Sequence, residues 1–124
     1  MRTQKVHFLT YLVKNSIDFT NPQELALVAL PANAEVTHIS FSVEEAADAG
    51  FKADIGFIDE PDALASDIDI SKAEANILSK IFTTPQVQEI AVSIKPAVGD
   101  TPATKGRGTL RVIYYLPSTT MMEF

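Results

Sequence analysis

Residues 35–45, EVTHISFSVEE, alternate apolar and polar side chains: Thr37, Ile39, Phe41 and Val43 fall on one side, His38, Ser40, Ser42 and Glu44 on the other. A period of two marks a strand with one packed face and one wet face. The same pattern recurs along the chain in short runs fenced by turn residues. Residues 51–58, FKADIGFI, set Phe51, Ala53, Ile55 and Phe57 inward against Lys52, Asp54 and Gly56. Residues 85–96, PQVQEIAVSIKP, set Ile90, Val92 and Ile94 against Glu89, Ser93 and Lys95, with a proline limiting each end.

Weaker runs fill in the rest. KVHFLTYLVK (5–14) is apolar on both faces, as a strand covered on both sides would be, and NSIDFTNP then breaks it with turn chemistry. ELALVALP (24–31) is a short strand ending at Pro31, and PANAE turns the chain. DEPDALASD is a loop before a short strand DIDIS (67–71), and GTLRVIYYLP (108–117) is the final strand. Residues 71–82 fit two structures equally: a helix with Ser71 as N-cap and Glu74 completing a capping box, or a loop followed by a strand.

The pattern predicts an all-β fold: a single antiparallel β-sandwich, jelly-roll-like, with seven to eight strands and at most one short helix. At 124 residues, one domain spans 1–124, with 117–124 as a C-terminal tail or arm.

Composition removes whole classes of function. The chain has no cysteine, which excludes a disulfide framework, thiolate metal sites and thiol catalysis. Ten Lys/Arg against sixteen Asp/Glu leave a net charge of −6, which repels phosphate backbones and argues against direct nucleic-acid binding. No apolar run reaches the length of a membrane span. The amino terminus, MRTQKVHFLTYLVKNS, lacks the apolar core and cleavage site of a signal peptide and reads as mature sequence.

Chemistry has few footholds. Six carboxylates crowd residues 51–71, yet no window carries the ligand spacing of an EF-hand. Asp59, Asp62 and Asp67 remain the candidate cation ligands of a looser site. Asp54, Asp67 and Asp69 alternate with Ile55, Ile68 and Ile70 and are expected to face water. His7 and His38 both sit inside strand patterns, too few for a zinc site without cysteine. No G-x-S-x-G is present, and KGRG lacks the continuation of a phosphate-binding loop. Arg107 there reads as a solvated rim charge. No catalytic residue, metal or cofactor is assigned, and an enzyme is not expected.

Two features exceed what a lone domain needs. STTMMEF follows Pro117 and carries Met121, Met122 and Phe124, adaptable anchors for a neighbouring subunit or a tail folded on its own core. The first strand, with Tyr11, has a second apolar face that needs cover. Met121, Met122, Phe124 and Tyr11 are therefore the candidate partner contacts.

LPANAEVTHISFSVEEAADAG, ADIGFIDEPDALASDIDIS and GRGTLRVIYYLP together resemble the small jelly-roll virion proteins of tailed phages. The resemblance covers residues 29–117 and rests on a proline-alanine turn, an acidic loop before D-x-D, and a glycine-led last strand. It implies a decoration or cement subunit on the capsid exterior, commonly a homotrimer, with the major capsid protein and copies of itself as partners. It implies no catalysis, in keeping with the absence of an assigned cofactor and with a composition that argues against a membrane span and direct contact with nucleic acid. The methionine-rich tail and residues 71–82 depart from the pattern and leave the position on the particle open. The alternative is a carbohydrate- or receptor-binding β-sandwich module, for which Tyr11, Tyr114 and Tyr115 are the stacking candidates.

Overall fold

A computed structural model describes residues 3–7, 9–21, 26–78, 80–116 and 119–123, with side chains over 9–21, 26–78 and 80–116. Eleven strands occur among them: β1 (Thr3–His7), β2 (Thr10–Asp18), β3 (Ala26–Leu30), β4 (Glu35–Glu45), β5 (Lys52–Phe57), β6 (Ala65–Asp69), β7 (Ala75–Leu78), β8 (Phe82–Thr83), β9 (Gln88–Lys95), β10 (Arg107–Tyr115) and β11 (Thr119–Glu123). Two sheets form the sandwich, in the orders β2-β10-β4-β7 and β3-β9-β5-β6, with β8 beside β4 and a separate β1–β11 ribbon.

This order is a jelly roll. The chain pairs as one long antiparallel hairpin, β1 with β11, β2 with β10, β3 with β9, β4 with β7 and β5 with β6. Wrapping the hairpin then adds the β10–β4 and β9–β5 pairs that close each sheet. The tip of the hairpin is the acidic loop between β5 and β6. Loops β3–β4, β5–β6 and β7–β9 cluster at one end of the sandwich, and the β1–β11 ribbon leaves from that same end. The β2–β3, β4–β5, β6–β7 and β9–β10 loops lie at the other.

Alternation supplies the core. Ile39, Phe41, Leu110 and Val112 of the first sheet face Leu30, Ile55, Ile90 and Val92 of the second, all fully buried. Burying each such side chain contributes about 1.5–3 kcal/mol. Phe19 and Phe41 meet at 6.2 Å between ring centroids. Gly108 passes beside them; a Cβ there would stand 2.6 Å from the Phe41 ring and 3.0 Å from Phe19.

The two antiparallel sheets meet the expected fold class, with nine strands in place of seven to eight, and no helix occurs among the described residues. Residues 71–82 take the second of their two readings, a loop followed by a strand, and three other local expectations are overturned. Ser71 does not cap a helix: its N–H donates to Asp69 Oδ1 at 2.9 Å, closing a tight turn, and the chain re-enters the sheet as β7. NSID does not break the first strand. β2 runs through it to Asp18, the Asn15 side chain donating to the Leu27 carbonyl while Ile17 packs in the core. Thr37 does not face inward, because the β4–β10 register skips it between Val36 and His38. That bulge resets the alternation, exposing Thr37 and burying Val36.

Asp54 does not face water and is only 6% exposed. A register shift in β6 gives that strand an extra residue opposite β5, and Asp67 takes a left-handed backbone, φ 55°. The Asp67 N–H thereby leaves the ladder and donates to Asp54 Oδ1 at 2.9 Å, while Lys95 Nζ sits 3.0 Å from Asp54 Oδ2. A carboxylate with a cation and an N–H donor tolerates burial. Asp67 and Asp69 do stand at the surface, the one exposed and the other half-buried.

Candidate assembly surface

The ribbon continues the pairing of the first and last sandwich strands. β2 and β10 pair from Asp18–Arg107 to Thr10–Tyr115, the Leu116 N–H donates to the Leu9 carbonyl at 3.1 Å, and β1 meets β11 from His7–Thr119 to Thr3–Glu123. From Thr10 to His7 is three residues, but from Tyr115 to Thr119 is four, so the two ladders differ by one residue in register. Pro117, which has no N–H to donate, falls in that interval of the sequence. A two-stranded ribbon outside a sheet is marginal in water on its own.

Of the candidate contacts, Met121 and Met122 lie in β11 opposite Lys5 and Gln4, their side chains outside the described residues. Phe124 lies outside the described residues altogether. Tyr11 is 40% exposed, its ring stacked on Tyr114 at 5.5 Å and 18°. Tyr114 itself is buried and Tyr115 half-buried, so the three tyrosines do not form one open stacking face.

Exposed apolar side chains gather at the ribbon end. Tyr11 and Leu12 stand near the root of the ribbon, and Ile58, Ile81 and Val87 project from the loops around it. Ile58 and Val87 line one hollow with Phe57, and Ile81 lines a second with Phe57 and Phe82, which form a T-shaped pair with centroids 5.7 Å apart. Elsewhere the large exposed apolar residues are scattered singly, Ile77 on β7 and Val98 in the β9–β10 loop. Exposed apolar residues gathered at one end of a small domain are the usual sign of a surface made to be covered.

The candidate cation ligands do not converge. Asp59 and Asp62 are exposed on the hairpin tip, while the Asp67 carboxylate takes the Lys95 ammonium at 3.0 Å. That ammonium, by hydrogen bond and then by charge, holds the Asp67 carboxyl below its ordinary range. No group of three or more His, Asp or Glu among the described residues is arranged to hold a metal. His38 is a half-buried β4 residue opposite Ile113, and His7 lies in β1 opposite Thr119.

The outer face of the β2-β10-β4-β7 sheet carries a groove whose charge runs against that of the chain. Lys14 and Arg111 are cross-strand partners, and Arg107 follows on the same face. Glu44 enters the groove, bonded by the Thr109 hydroxyl and 3.6 Å from Arg107 Nη2. The Thr109 hydrogen bond, then the charges of Arg107, Arg111 and Lys14, hold the Glu44 carboxyl below its ordinary range. The Ser16 and Thr109 hydroxyls share one hydrogen bond at 2.9 Å, and Arg111 Nη1 donates to Ser42 Oγ at 3.2 Å.

Over 99% of its length, and 100% of the other chain, the protein is similar to a chain in the acidic stable capsid structure of Helicobacter pylori bacteriophage KHP30, at 30% identity and a TM-score of 0.84. The chain belongs to a family of bacteriophage capsid proteins. The same fold occurs in the cyanophage Pam1 capsid asymmetric unit (TM-score 0.67, 16% identity, 87% of this chain and 85% of that one). It occurs again in the capsid of Ralstonia phage GP4 (TM-score 0.63, 15% identity, 91% and 88%). No protein-family model and no curated protein sequence matches this capsid protein.

The basic groove of this capsid protein escaped the sequence. Arg107, Thr109 and Arg111 are spaced by two and must share a face, which was legible. Lys14, far from them in sequence, joins only because the first and last sandwich strands pair.

Proposed function

We propose that this phage capsid protein is a decoration or cement subunit on the exterior of the particle, assembling as a homotrimer and binding the major capsid protein. One observation carries it: the terminal ribbon and the exposed apolar residues Tyr11, Leu12, Ile58, Ile81 and Val87 lie at the same end of the jelly roll. A ribbon too short to hold itself and an apolar cluster beside it are both stabilised by the same event, contact with a neighbouring subunit. Met121 and Met122, carried on β11, are the proposed anchors, with Phe124 following them in the sequence. A standard interface buries about 1,600 Å² and is within reach of such an end. The net charge of −6 suits a protein that leaves packaged DNA alone.

The test is cosedimentation with capsids lacking the chain, comparing the full chain with one ending at Pro117. The full chain is expected to pellet with capsids, and the truncated one to stay in the supernatant while its jelly roll remains folded. Light scattering should give a trimer that survives EDTA. A full chain that never pellets with capsids would end this reading.

A further inference from the structure

Lys14 and Arg111 stand directly opposite each other on the β2–β10 ladder and line one groove. Like charges at opposed sheet positions repel, a cost that cross-strand pairs normally avoid. Arg107 adds a third cation, so three of the ten Lys/Arg gather on one face of a chain whose net charge is −6. Glu44 is the one carboxylate lining the groove, and it leaves an excess of two positive charges. The Lys14 ammonium makes no hydrogen bond or salt bridge among the described residues and acts on Glu44 by charge alone. The groove is built for a further anion.

The same chain carries an exposed group of anions at its hairpin tip. Asp59, Glu60 and Asp62 are exposed at the hairpin tip, and their carboxylates make no hydrogen bond or ion pair among the described residues. The tip is stiff. Phe57 and Glu60 exchange backbone hydrogen bonds at 2.9 and 3.2 Å, and the Ala63 N–H donates to the Glu60 carbonyl at 3.1 Å. Gly56 lies so close beneath that a Cβ would stand 2.2 Å from the Glu60 carbonyl oxygen. A pre-ordered loop loses little entropy on docking. Apolar residues flank both charged surfaces, Ile58 beside the tip and Leu12 and Ile113 beside the groove.

We propose that the acidic tip of one copy docks in the basic groove of the next, Asp59, Glu60 and Asp62 against Lys14, Arg107 and Arg111. Tip and groove lie toward opposite ends of the sandwich, so the contact is heterologous and stays finite only by closing into a ring. The inference rests on the homotrimer reading and names the surfaces that join the copies. An acidic protein segment fits better than nucleic acid, since the rest of the chain repels phosphate.

Sedimentation velocity tests it with three variants of the full chain: Lys14→Glu with Arg107→Glu, Asp59→Lys with Asp62→Lys, and all four together, each checked for an unchanged fold by circular dichroism. Each pair alone is expected to weaken self-association about tenfold or more. The fourfold variant, with its charges exchanged, is expected to regain the trimer. Trimers of wild-type strength in either pair overturn the docking while leaving the homotrimer intact; a folded fourfold variant that stays monomeric also overturns it. A wild-type chain that is monomeric at every concentration removes the homotrimer and the docking together. Duplex DNA bound by the wild type and lost with Lys14→Glu and Arg107→Glu would assign the groove to phosphate instead.

Discussion

Asp54 and Asp67 share one hydrogen bond and one cation: the Asp67 N–H donates to Asp54 Oδ1 at 2.9 Å, and Lys95 Nζ lies 3.0 Å from an oxygen of each. The two carboxylates differ in what they contribute. Asp54 is buried and satisfies a backbone donor that the β6 bulge has taken out of the ladder; Asp67 offers an exposed carboxylate to an exposed lysine.

Asp54→Ala leaves the Asp67 N–H without its acceptor in a half-closed site, at a cost of about 1–3 kcal/mol. Asp67→Gly gives up a surface ion pair of small worth but relieves a positive φ that glycine accepts freely. Its expected change lies within about 0.5 kcal/mol. Urea unfolding of the two variants checks the asymmetry; equal losses would contradict it.

Stability should hold from mildly acidic to mildly alkaline pH and fall on both sides. Thr20 hydrogen bonds lower the pKa of Asp18, the Thr109 hydroxyl that of Glu44, Thr104 that of Asp48, Lys95 that of Asp67 and Ser71 that of Asp69. Each folded value lies below the unfolded one, so the contribution is complete above the ordinary carboxylate range near about 4 and is lost as pH falls through the folded values. Hydrogen bonds from Lys95 to Asp54 and Asp67 raise the Lys95 pKa. Its contribution is complete below the ordinary lysine value and is lost as pH rises through the folded one. Thermal midpoints measured across pH check this, and a midpoint that rises on acidification through the carboxylate range would contradict it.

Thr84 is fully buried and ties two loops at the ribbon end. Its hydroxyl donates to the Pro31 carbonyl at 2.7 Å and accepts the Ala34 N–H at 2.9 Å. Thr84→Val keeps the shape and strands both groups, so a loss of about 1–3 kcal/mol is expected in chemical unfolding.

Gly56→Ala drives a methyl group into the backbone of Glu60 and Pro61, neither of which is the end of a flexible side chain. A cost of about 1–3 kcal/mol is expected from overpacking. Displacing the tip should also weaken self-association, which analytical ultracentrifugation reads. A Gly56→Ala chain as trimeric as wild type would separate the tip from assembly.

Strand identity was legible where alternation and turn residues agreed. EVTHISFSVEE became β4 with the same limits, and the prolines around residues 85–96 bracket β9. What escaped depends on partners distant in sequence. Thr37 is turned outward by a bulge against β10, and Asp54 is buried by a bulge in β6; local periodicity carries no trace of either. Residues 71–82 held a capping-box pattern, but Asp69 claimed the Ser71 N–H and β4 claimed the following residues as a strand. The groove of Lys14, Arg107 and Arg111 was hidden for the same reason, since only the hairpin pairing of the whole chain assembles it.

Calorimetry of capsids stripped of the chain and then rebuilt with it tests the cement function most directly. Rebuilt capsids are expected to carry the chain and to disrupt at a higher temperature than stripped ones, with the gain absent for the chain ending at Pro117. Capsids that bind the full chain yet disrupt at the same temperature as stripped ones would contradict a cementing role.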